Sequence, residues 1–253
     1  MTPNSPIGIL DSGVGGLSVW EEINKLLPHE RTLYIADSAH APYGNKSERE
    51  IFALASKLVE FLLTHDVKII VAACNTITVT CIDKLREKYP PTEIVGVVPA
   101  IKPAVAISRT KRIGILTTER TAKSDYQHKL IDDFAAECHA VTIGTNKLVP
   151  LIEAGEREGL RKALPSILEP LKREKIDTVV LGCTHYPLIR DLIEDELGKG
   201  VAIVDSGEAI ARRTRELLQK KHLVSKTKNS QNSFFTTGSV KNSNLILQQV
   251  NKK

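Results

Sequence analysis

Short runs of β-branched and other apolar residues alternate along the chain with longer stretches in which apolar residues recur at helical spacing. Such runs are typical of buried strands, and the stretches between them are long enough for helices. This alternation indicates an α/β fold built on parallel sheets. The apolar runs predict strands at Ile7–Leu10, Thr32–Ala36, Lys68–Ala73, Ile94–Val97, Arg112–Leu116, Ala140–Ile143, Thr178–Leu181 and Ala202–Val204.

Helix signals lie between these strands. Ser47 followed by Glu50 fits a capping box, in which the hydroxyl and the carboxylate each accept a free backbone N–H. Two apolar helix faces follow from the spacing: Ile51, Leu54, Ala55, Leu58 and Leu62 in one stretch, and Leu160, Leu164, Ile167, Leu168 and Leu171 in another. Asn75 or Thr76 is predicted to cap a helix that continues to about Tyr89.

The chain contains an internal repeat. Ile7–Leu10 is followed by Asp11-Ser12, and the matching run Ile113–Leu116 is followed by Thr117-Thr118. Later in each half, at nearly equal distance, an apolar strand ends at a cysteine flanked by small polar residues, Cys74 and Cys183. Two ordered matches predict two pseudo-symmetric parallel-sheet α/β domains, with the active site in the cleft between them.

The predicted boundaries place residues 1–97 and 206–253 in the first domain and residues 98–205 in the second, with the chain switching domains near Val97–Pro103. The final segment, which contains Phe234 and Phe235, is expected to return to the first domain. The stretch Lys220–Ser233 is polar and lacks aromatic residues, and we expect a solvated loop there.

The net charge of +5 belongs to the end of the chain and not to a face of the fold. Ten Lys or Arg and one acidic residue lie between positions 210 and 253, so the rest of the chain is slightly acidic. Charge in one segment gives only non-specific attraction to phosphates, and we therefore expect no nucleic-acid partner.

Neither a membrane nor export is expected. No apolar run has the length needed to span a bilayer, and residues 1–6 lack the basic-then-apolar pattern of a signal peptide. The four cysteines show no paired local spacing, so we expect reduced thiols and a cytoplasmic location.

The positions of Cys74 and Cys183 indicate proton transfer. Ligands of parallel α/β domains bind beyond the carboxyl ends of the strands, where both cysteines are predicted to lie. A thiol beside a helix N-terminus is expected to favour the thiolate, and Pro187 suits the first helical turn after Cys183. Two facing domains would place one sulfur on each side of a substrate carbon. One would remove a proton while the other delivers a proton to the opposite face.

Other interpretations of these motifs stay open at this point. Free cysteine is usually a buried apolar residue, and we expect that role for Cys81 and Cys138, which have no counterpart in the repeat. Cys183 and His185 are two possible zinc ligands without a compact set around them. The loop Gly13–Ser18, with Asp37 about twenty residues later, resembles a dinucleotide fingerprint whose third glycine is replaced by Ser18. The alternatives are therefore a nucleotide-dependent oxidoreductase and a non-enzymatic module that binds small anions.

The motifs together resemble those of the glutamate racemases, within the aspartate/glutamate racemase superfamily. The resemblance extends from Gly8 to about Gly238, and its ordered motifs make it specific. They are Gly8–Leu17, Asp37 with Pro42-Tyr43-Gly44, Ala73–Thr76, Leu181–Leu188 and Phe235–Gly238. The resemblance implies interconversion of L- and D-glutamate by two thiols, without a cofactor or metal. It also implies a homodimer whose product, D-glutamate, supplies peptidoglycan synthesis.

The resemblance also assigns roles to residues. Cys74 would act on the D-enantiomer and Cys183 on the L-enantiomer, with Asp11 and His185 assisting the thiols. Residues implied to bind the substrate are Asp11, Ser12, Tyr43, Gly44, Asn75, Thr76, Thr184 and His185. Asp37 is expected to shape its loop and not to act in catalysis.

The chain departs from the family pattern in one motif. Thr145-Asn146 precede Lys147–Pro150 where many members have Cys-Pro, but Glu153 still occupies the position of the auxiliary catalytic carboxylate. No N-terminal extension of the kind found in members activated by a cell-wall precursor is present, so we expect no such activation. The choice of glutamate over aspartate depends on the resemblance alone, which leaves an aspartate racemase of the same superfamily as an alternative.

Overall fold

The structure, a computed structural model, describes residues 1–225, 227 and 231–239. Its strands are β1 (Ile7–Asp11), β2 (Thr32–Ala36), β3 (Ile69–Ala72), β4 (Ile94–Gly96), β5 (Arg112–Thr117), β6 (His139–Gly144), β7 (Thr178–Leu181), β8 (Ala202–Val204) and β9 (Asn232–Thr236). Its α-helices are α1 (Leu17–Leu26), α2 (Glu48–Leu63), α3 (Asn75–Lys88), α4 (Ile101–Ile107), α5 (Glu119–Ala122), α6 (Asp125–Ala135), α7 (Leu148–Ala154), α8 (Arg157–Arg173), α9 (Arg190–Leu197) and α10 (Gly207–Lys220).

The structure has two halves, each built on one parallel sheet, and the two sheets repeat one strand order. The first sheet is ordered β4-β3-β1-β2-β9 and the second β6-β5-β7-β8, so β1 to β4 correspond to β5 to β8. The register repeats as well, because Leu10 pairs with Ala72 and Leu116 pairs with Leu181. The predicted fold class is confirmed.

The repeated strand order places the two cysteines at equivalent points. In each sheet the central strand, β1 or β5, has its next strand in sequence on one side and the following strand on the other. This arrangement creates a crevice at the carboxyl ends of the central strands, where α/β proteins bind ligands. Cys74 follows β3 and Cys183 follows β7, each two residues beyond the paired position.

Helices cover both faces of each sheet, and their apolar faces fill four buried clusters. The capping box of Ser47 and Glu50 is present at the start of α2, as predicted. On the predicted face of α8, Leu160, Leu164, Ile167, Leu168 and Leu171 are all buried. The α2 face is buried except for Leu54, which is partly exposed.

Several local predictions were wrong. Cys74, and not Asn75 or Thr76, occupies the N-cap position of α3. Strand β3 begins one residue after Lys68 and ends before Ala73. Asn232 and Ser233, expected in the loop, begin β9, which pairs with β2. Other residues of that loop, 226 and 228–230, lie outside the described part of the chain.

The chain passes twice between the two sheets, once between β4 and α4 and once between β8 and α10. The two crossings lie side by side, because the Ser206 hydroxyl donates a hydrogen bond of 2.5 Å to the carbonyl of Val98. Helix α10 then packs against α1 in the first half. The domain division into 1–97 with 206–253 and 98–205 stays a prediction, and residues 240–253 are not among the described residues.

A buried ion pair joins distant parts of the first half. The Lys68 ammonium contacts the Glu30 carboxylate, and both side chains are almost fully buried. Lys68 also donates to the carbonyls of Pro3 and Leu223, at 2.7 and 2.9 Å, while Glu30 accepts from the backbone N–H of Ser225. The pair therefore fixes the start of the chain and the segment after α10 to the sheet.

Removing one member of this pair should destabilise the fold, because the remaining charge would be buried without its partner. Lys68→Met is expected to lower the free energy of unfolding by about 3 to 5 kcal/mol. The double variant Lys68→Met/Glu30→Gln removes both charges and should lose much less. Urea unfolding at pH 7 measures both values, and equal losses in the two variants would contradict this account.

Candidate active site

The carboxyl ends of the two sheets face each other across one small cavity. Both Cys74 and Cys183 line it, and both are buried. The other residues around it are Ser12, Pro42, Tyr43, Gly44, Asn75, Thr76, Thr118, Val149, Thr184 and His185. The space is about that of one water molecule, so a small organic substrate does not fit into it in this conformation.

The structure brings every predicted site residue to this place. Nine of them line the cavity directly. Asp11 and Glu153 lie behind it and contact lining residues, since Asp11 accepts from the Thr184 hydroxyl at 3.0 Å and Glu153 lies 2.6 Å from His185 Nε2. Asp37 shapes its loop as expected, because its carboxylate accepts from Tyr43 and Thr237 at 2.5 Å each.

Sequence reasoning missed Thr118, which comes from the second half and lines the cavity. Its hydroxyl lies 3.1 Å from the hydroxyl of Thr76 in the first half. The internal repeat contained the signal, because Thr118 follows β5 at the position that Ser12 occupies after β1.

On the side of the first half, the Cys74 sulfur lies 3.5 Å from the Ser12 hydroxyl. Burial raises the pKa of the Cys74 thiol to about 12, and the negative charge of Asp11 contributes in the same direction. The expectation that the helix N-terminus would favour a thiolate was therefore wrong for Cys74. A hydrogen bond from the backbone N–H of Ile77 lowers its pKa, but by less than the loss of water raises it. Cys74 is thus a protonated thiol in the unliganded site.

On the side of the second half, Cys183 has a cationic neighbour. His185 Nδ1 lies 3.8 Å from the Cys183 sulfur, and His185 Nε2 lies 2.6 Å from Glu153 Oε1. Burial lowers the pKa of His185, but its hydrogen bonds with Cys183 and Glu153 outweigh burial and hold the pKa well above its usual range. The protonated imidazole places a positive charge beside the Cys183 sulfur.

The glycine-rich loop after β1 lies directly against these groups. A side chain at Gly13 would collide with the Glu153 carboxylate, and one at Gly15 would collide with the His185 ring. Two of the loop N–H groups are used within the protein, since Gly13 donates to Asp11 at 2.8 Å and Val14 donates to Glu153 at 2.7 Å. Because the glycines have no side chains, Glu153 and His185 of the second half can pack against the loop. The loop is therefore not arranged to hold a pyrophosphate.

Among the described residues, two buried polar atoms at this site have no hydrogen-bond partner. They are Asn75 Nδ2, whose residue lines the cavity, and Glu153 Oε2 beside it. Buried donors are nearly always hydrogen-bonded in native proteins. The free amide of Asn75 is therefore suited to donate to an anionic oxygen of a bound ligand.

The described part of the chain lacks two other kinds of feature. Among the described residues, no group of three or more His, Cys, Asp or Glu side chains is arranged to hold a metal ion. Within the same part of the chain, no helix combines the length and the apolar character needed to cross a membrane.

The chain is similar to known racemases over most of its length. The Asp/Glu/Hydantoin racemase family matches residues 7–214. A glutamate racemase of Stutzerimonas stutzeri is 43% identical over 222 residues, which cover 87% of this chain and 84% of the relative.

Two solved structures extend this similarity to the fold. The glutamate racemase RacE1 of Bacillus anthracis has a TM-score of 0.90 at 33% identity, covering 99% of this chain and 96% of the other. The Escherichia coli glutamate racemase, solved with L-glutamate and the activator UDP-MurNAc-Ala, has a TM-score of 0.86 at 39% identity, covering 97% and 94%.

The burial of Asp11 predicts a dependence of stability on pH. Burial raises the pKa of Asp11 to about 6, above the value of 3.8 that it has in water. The raised pKa means that ionisation of Asp11 costs free energy only in the folded state. This cost is absent below about pH 4, grows between about pH 4 and 6, and reaches about 3 kcal/mol above pH 6.

Asp11→Asn removes this cost. The free energy of unfolding of the variant, relative to the unmodified protein, should therefore rise by about 3 kcal/mol between pH 4 and pH 7. Urea unfolding across this range measures it, with Asp133→Asn on the exposed face of α6 as the matched control. A difference that does not change with pH for Asp11→Asn would rule out the raised pKa.

Proposed function

The chain belongs to the Asp/Glu/Hydantoin racemase family, and we propose that within it the chain interconverts L-glutamate and D-glutamate without a cofactor. The observation that carries the proposal is the single cavity lined by Cys74 from one half and Cys183 from the other. A residue from each half on one cavity suits a reaction that needs a base on one face of a carbon and an acid on the other.

We propose that L-glutamate is deprotonated by Cys183. The thiolate sulfur takes the α-proton, and the electrons of the broken C–H bond move toward the substrate carboxylate. Cys74, which is a protonated thiol in the unliganded site, then gives its proton to the opposite face of the carbon. The reverse reaction begins with a thiolate at Cys74 and a protonated Cys183, so each turnover leaves the site ready for the other enantiomer.

The remaining lining residues are proposed to hold the substrate. Asn75 offers the unpartnered amide to a carboxylate oxygen, and Ser12, Thr76 and Thr184 add hydroxyl groups around the same space. The Tyr43 hydroxyl is already donated to Asp37, so Tyr43 and Gly44 would contact the substrate through their backbone and the tyrosine ring.

Asp11, His185 and Glu153 are proposed to set the protonation of the two thiols. His185 contacts Cys183 directly, and Glu153 holds His185 in its protonated form. Asp11 lies behind the cavity, where its charge opposes a thiolate at Cys74. A substrate ammonium group in the cavity would weaken this opposition, because it places a positive charge between the carboxylate and the sulfur.

The competing functions are less well supported. The Gly13–Gly16 loop packs against Glu153 and His185, and the Asp37 carboxylate is occupied by side chains of the protein. Neither group is therefore free to bind a dinucleotide. A module that only binds anions would not need two buried thiols on one cavity.

The substrate is tested by following the optical activity of amino acids incubated with the purified protein. Circular dichroism should show L-glutamate and D-glutamate each approaching zero signal, with L-aspartate and D-aspartate changing far more slowly. Loss of signal for aspartate alone would identify aspartate, and not glutamate, as the substrate. No change for either amino acid would refute racemisation of both.

Replacing either thiol should remove racemisation. Cys74→Ala and Cys183→Ala are each expected to lower kcat by about a hundred-fold to ten-thousand-fold, because each removes the group that moves a proton on one face. Cys81→Ala is the matched control, since Cys81 is a buried thiol on α3 that does not line the cavity. It should keep turnover near that of the unmodified protein.

The same variants test the roles of the two thiols in heavy water. Cys74→Ala retains the base for the L-enantiomer, so it should place deuterium at the α-carbon of L-glutamate without inversion. Cys183→Ala should do so only with D-glutamate. Mass spectrometry measures the exchange, and exchange of both enantiomers in either variant would contradict the assignment of one thiol to each face.

We propose that the protein acts in the cytoplasm as a homodimer and that its D-glutamate enters peptidoglycan. Sedimentation equilibrium tests the dimer, and a requirement for external D-glutamate after deletion of the gene tests the role in the cell wall.

A further inference from the structure

We propose that Tyr34 is a positioning residue for the Cys183 side of the site, acting through one peptide unit of the glycine-rich loop. The inference rests on the proposed function of Cys183. Tyr34 is located on β2, which contributes no residue to the cavity, and its side chain is fully buried. Its role therefore depends on what its hydroxyl contacts.

The Tyr34 hydroxyl holds the loop at the peptide unit that follows Gly13. It donates a hydrogen bond of 2.6 Å to the carbonyl of Gly13. Burial, reinforced by the nearby charges of Asp11 and Glu153, holds the pKa of Tyr34 well above its usual value. The hydroxyl consequently keeps its proton and remains a donor.

The carbonyl of Gly13 and the N–H of Val14 belong to the same planar peptide unit. A hydrogen bond that fixes the carbonyl on one side therefore fixes the direction of the N–H on the other. The Val14 N–H donates to Glu153 Oε1 at 2.7 Å, and the same oxygen lies 2.6 Å from His185 Nε2. Tyr34 thus controls where Glu153 presents its oxygen to His185.

The resulting hydrogen-bond chain runs from Tyr34 through the Gly13–Val14 peptide to Glu153, His185 and Cys183. Each bond in such a chain polarises the next, so a change at Tyr34 is felt at His185 although the two side chains do not touch. The start of the chain is fixed by packing, because the Tyr34 ring lies 6.2 Å from that of Phe234, which itself packs on Trp20 at 5.0 Å.

Three groups from different elements determine the protonation of His185. Glu153 on α7 and Cys183 after β7 favour the imidazolium through hydrogen bonds, and Asp11 at the end of β1 adds a negative charge nearby. Loss of the Tyr34 hydroxyl leaves all three in place. It frees the peptide unit, so Glu153 is held less closely to His185 and the imidazolium is less stabilised.

Tyr34→Phe tests the proposal. The His185 pKa, followed by NMR of the imidazole without substrate, should fall toward the ordinary value, and kcat for glutamate should fall about five-fold. Substrate contacts are unchanged, so KM should move little. A variant that loses stability but keeps both the His185 pKa and kcat would show that Tyr34 only supports the fold, which would overturn the proposal.

A double-variant cycle tests whether Tyr34 acts on His185 through Glu153. In a Glu153→Ala background the chain is already interrupted, so adding Tyr34→Phe should change neither the His185 pKa nor kcat further. Should Glu153→Ala fail to fold, Glu153→Gln replaces it and must likewise reduce the effect of Tyr34→Phe. Additive effects would refute action through Glu153.

Tyr89→Phe is the matched control. The Tyr89 hydroxyl donates to the Glu60 carboxylate at 2.6 Å and to the carbonyl of Ser56 at 3.3 Å, and neither group belongs to the hydrogen-bond chain. This substitution should not move the His185 pKa, and a movement equal to that of Tyr34→Phe would overturn the proposal. The NMR measurement needs no turnover, so it separates failure of this inference from failure of the racemase function.

Discussion

The site depends on one contact between the two halves, in which the Glu153 carboxylate meets both the Val14 N–H and the His185 ring. A buried carboxylate is costly unless it is neutralised and hydrogen-bonded, and this one has both a cation and a backbone donor. The contact forms only because Gly13 and Gly15 have no side chains to obstruct it. One carboxylate oxygen therefore both joins the two halves and supports the charge beside Cys183.

Much of the fold could be predicted because its two halves repeat the same elements, and this repeat is visible in the amino-acid sequence. The strands before Cys74 and Cys183 were each predicted from an apolar run, the repeat related them to one another, and their registers agree in the structure. Strand β9 was missed because Asn232 and Ser233 are polar and the strand lies at a partly exposed edge. Its position depends on Phe234 packing against distant aromatic rings, which local pattern does not reveal.

The site was predictable in its residue types and less so in its electrostatics. Cys74 was expected to favour a thiolate because it begins a helix, a property that is visible in the sequence. The burial that outweighs this effect arises from the whole fold, and no local pattern indicates its extent. The contact of Val14 with Glu153 joins residues 139 positions apart, so only the packed structure relates them.

The two thiols have unlike surroundings, although the halves that carry them repeat. Cys183 has an imidazolium beside it, whereas Cys74 has a hydroxyl and a nearby carboxylate. Mirror-image substrates have equal free energies in water, so no protein can change their equilibrium. The ratio of kcat to KM must consequently be equal for the two enantiomers, while each constant alone is free to differ. The unlike surroundings of the two thiols therefore allow the enzyme to be saturated at a lower concentration of one enantiomer. The equilibrium mixture still contains the two enantiomers in equal amounts.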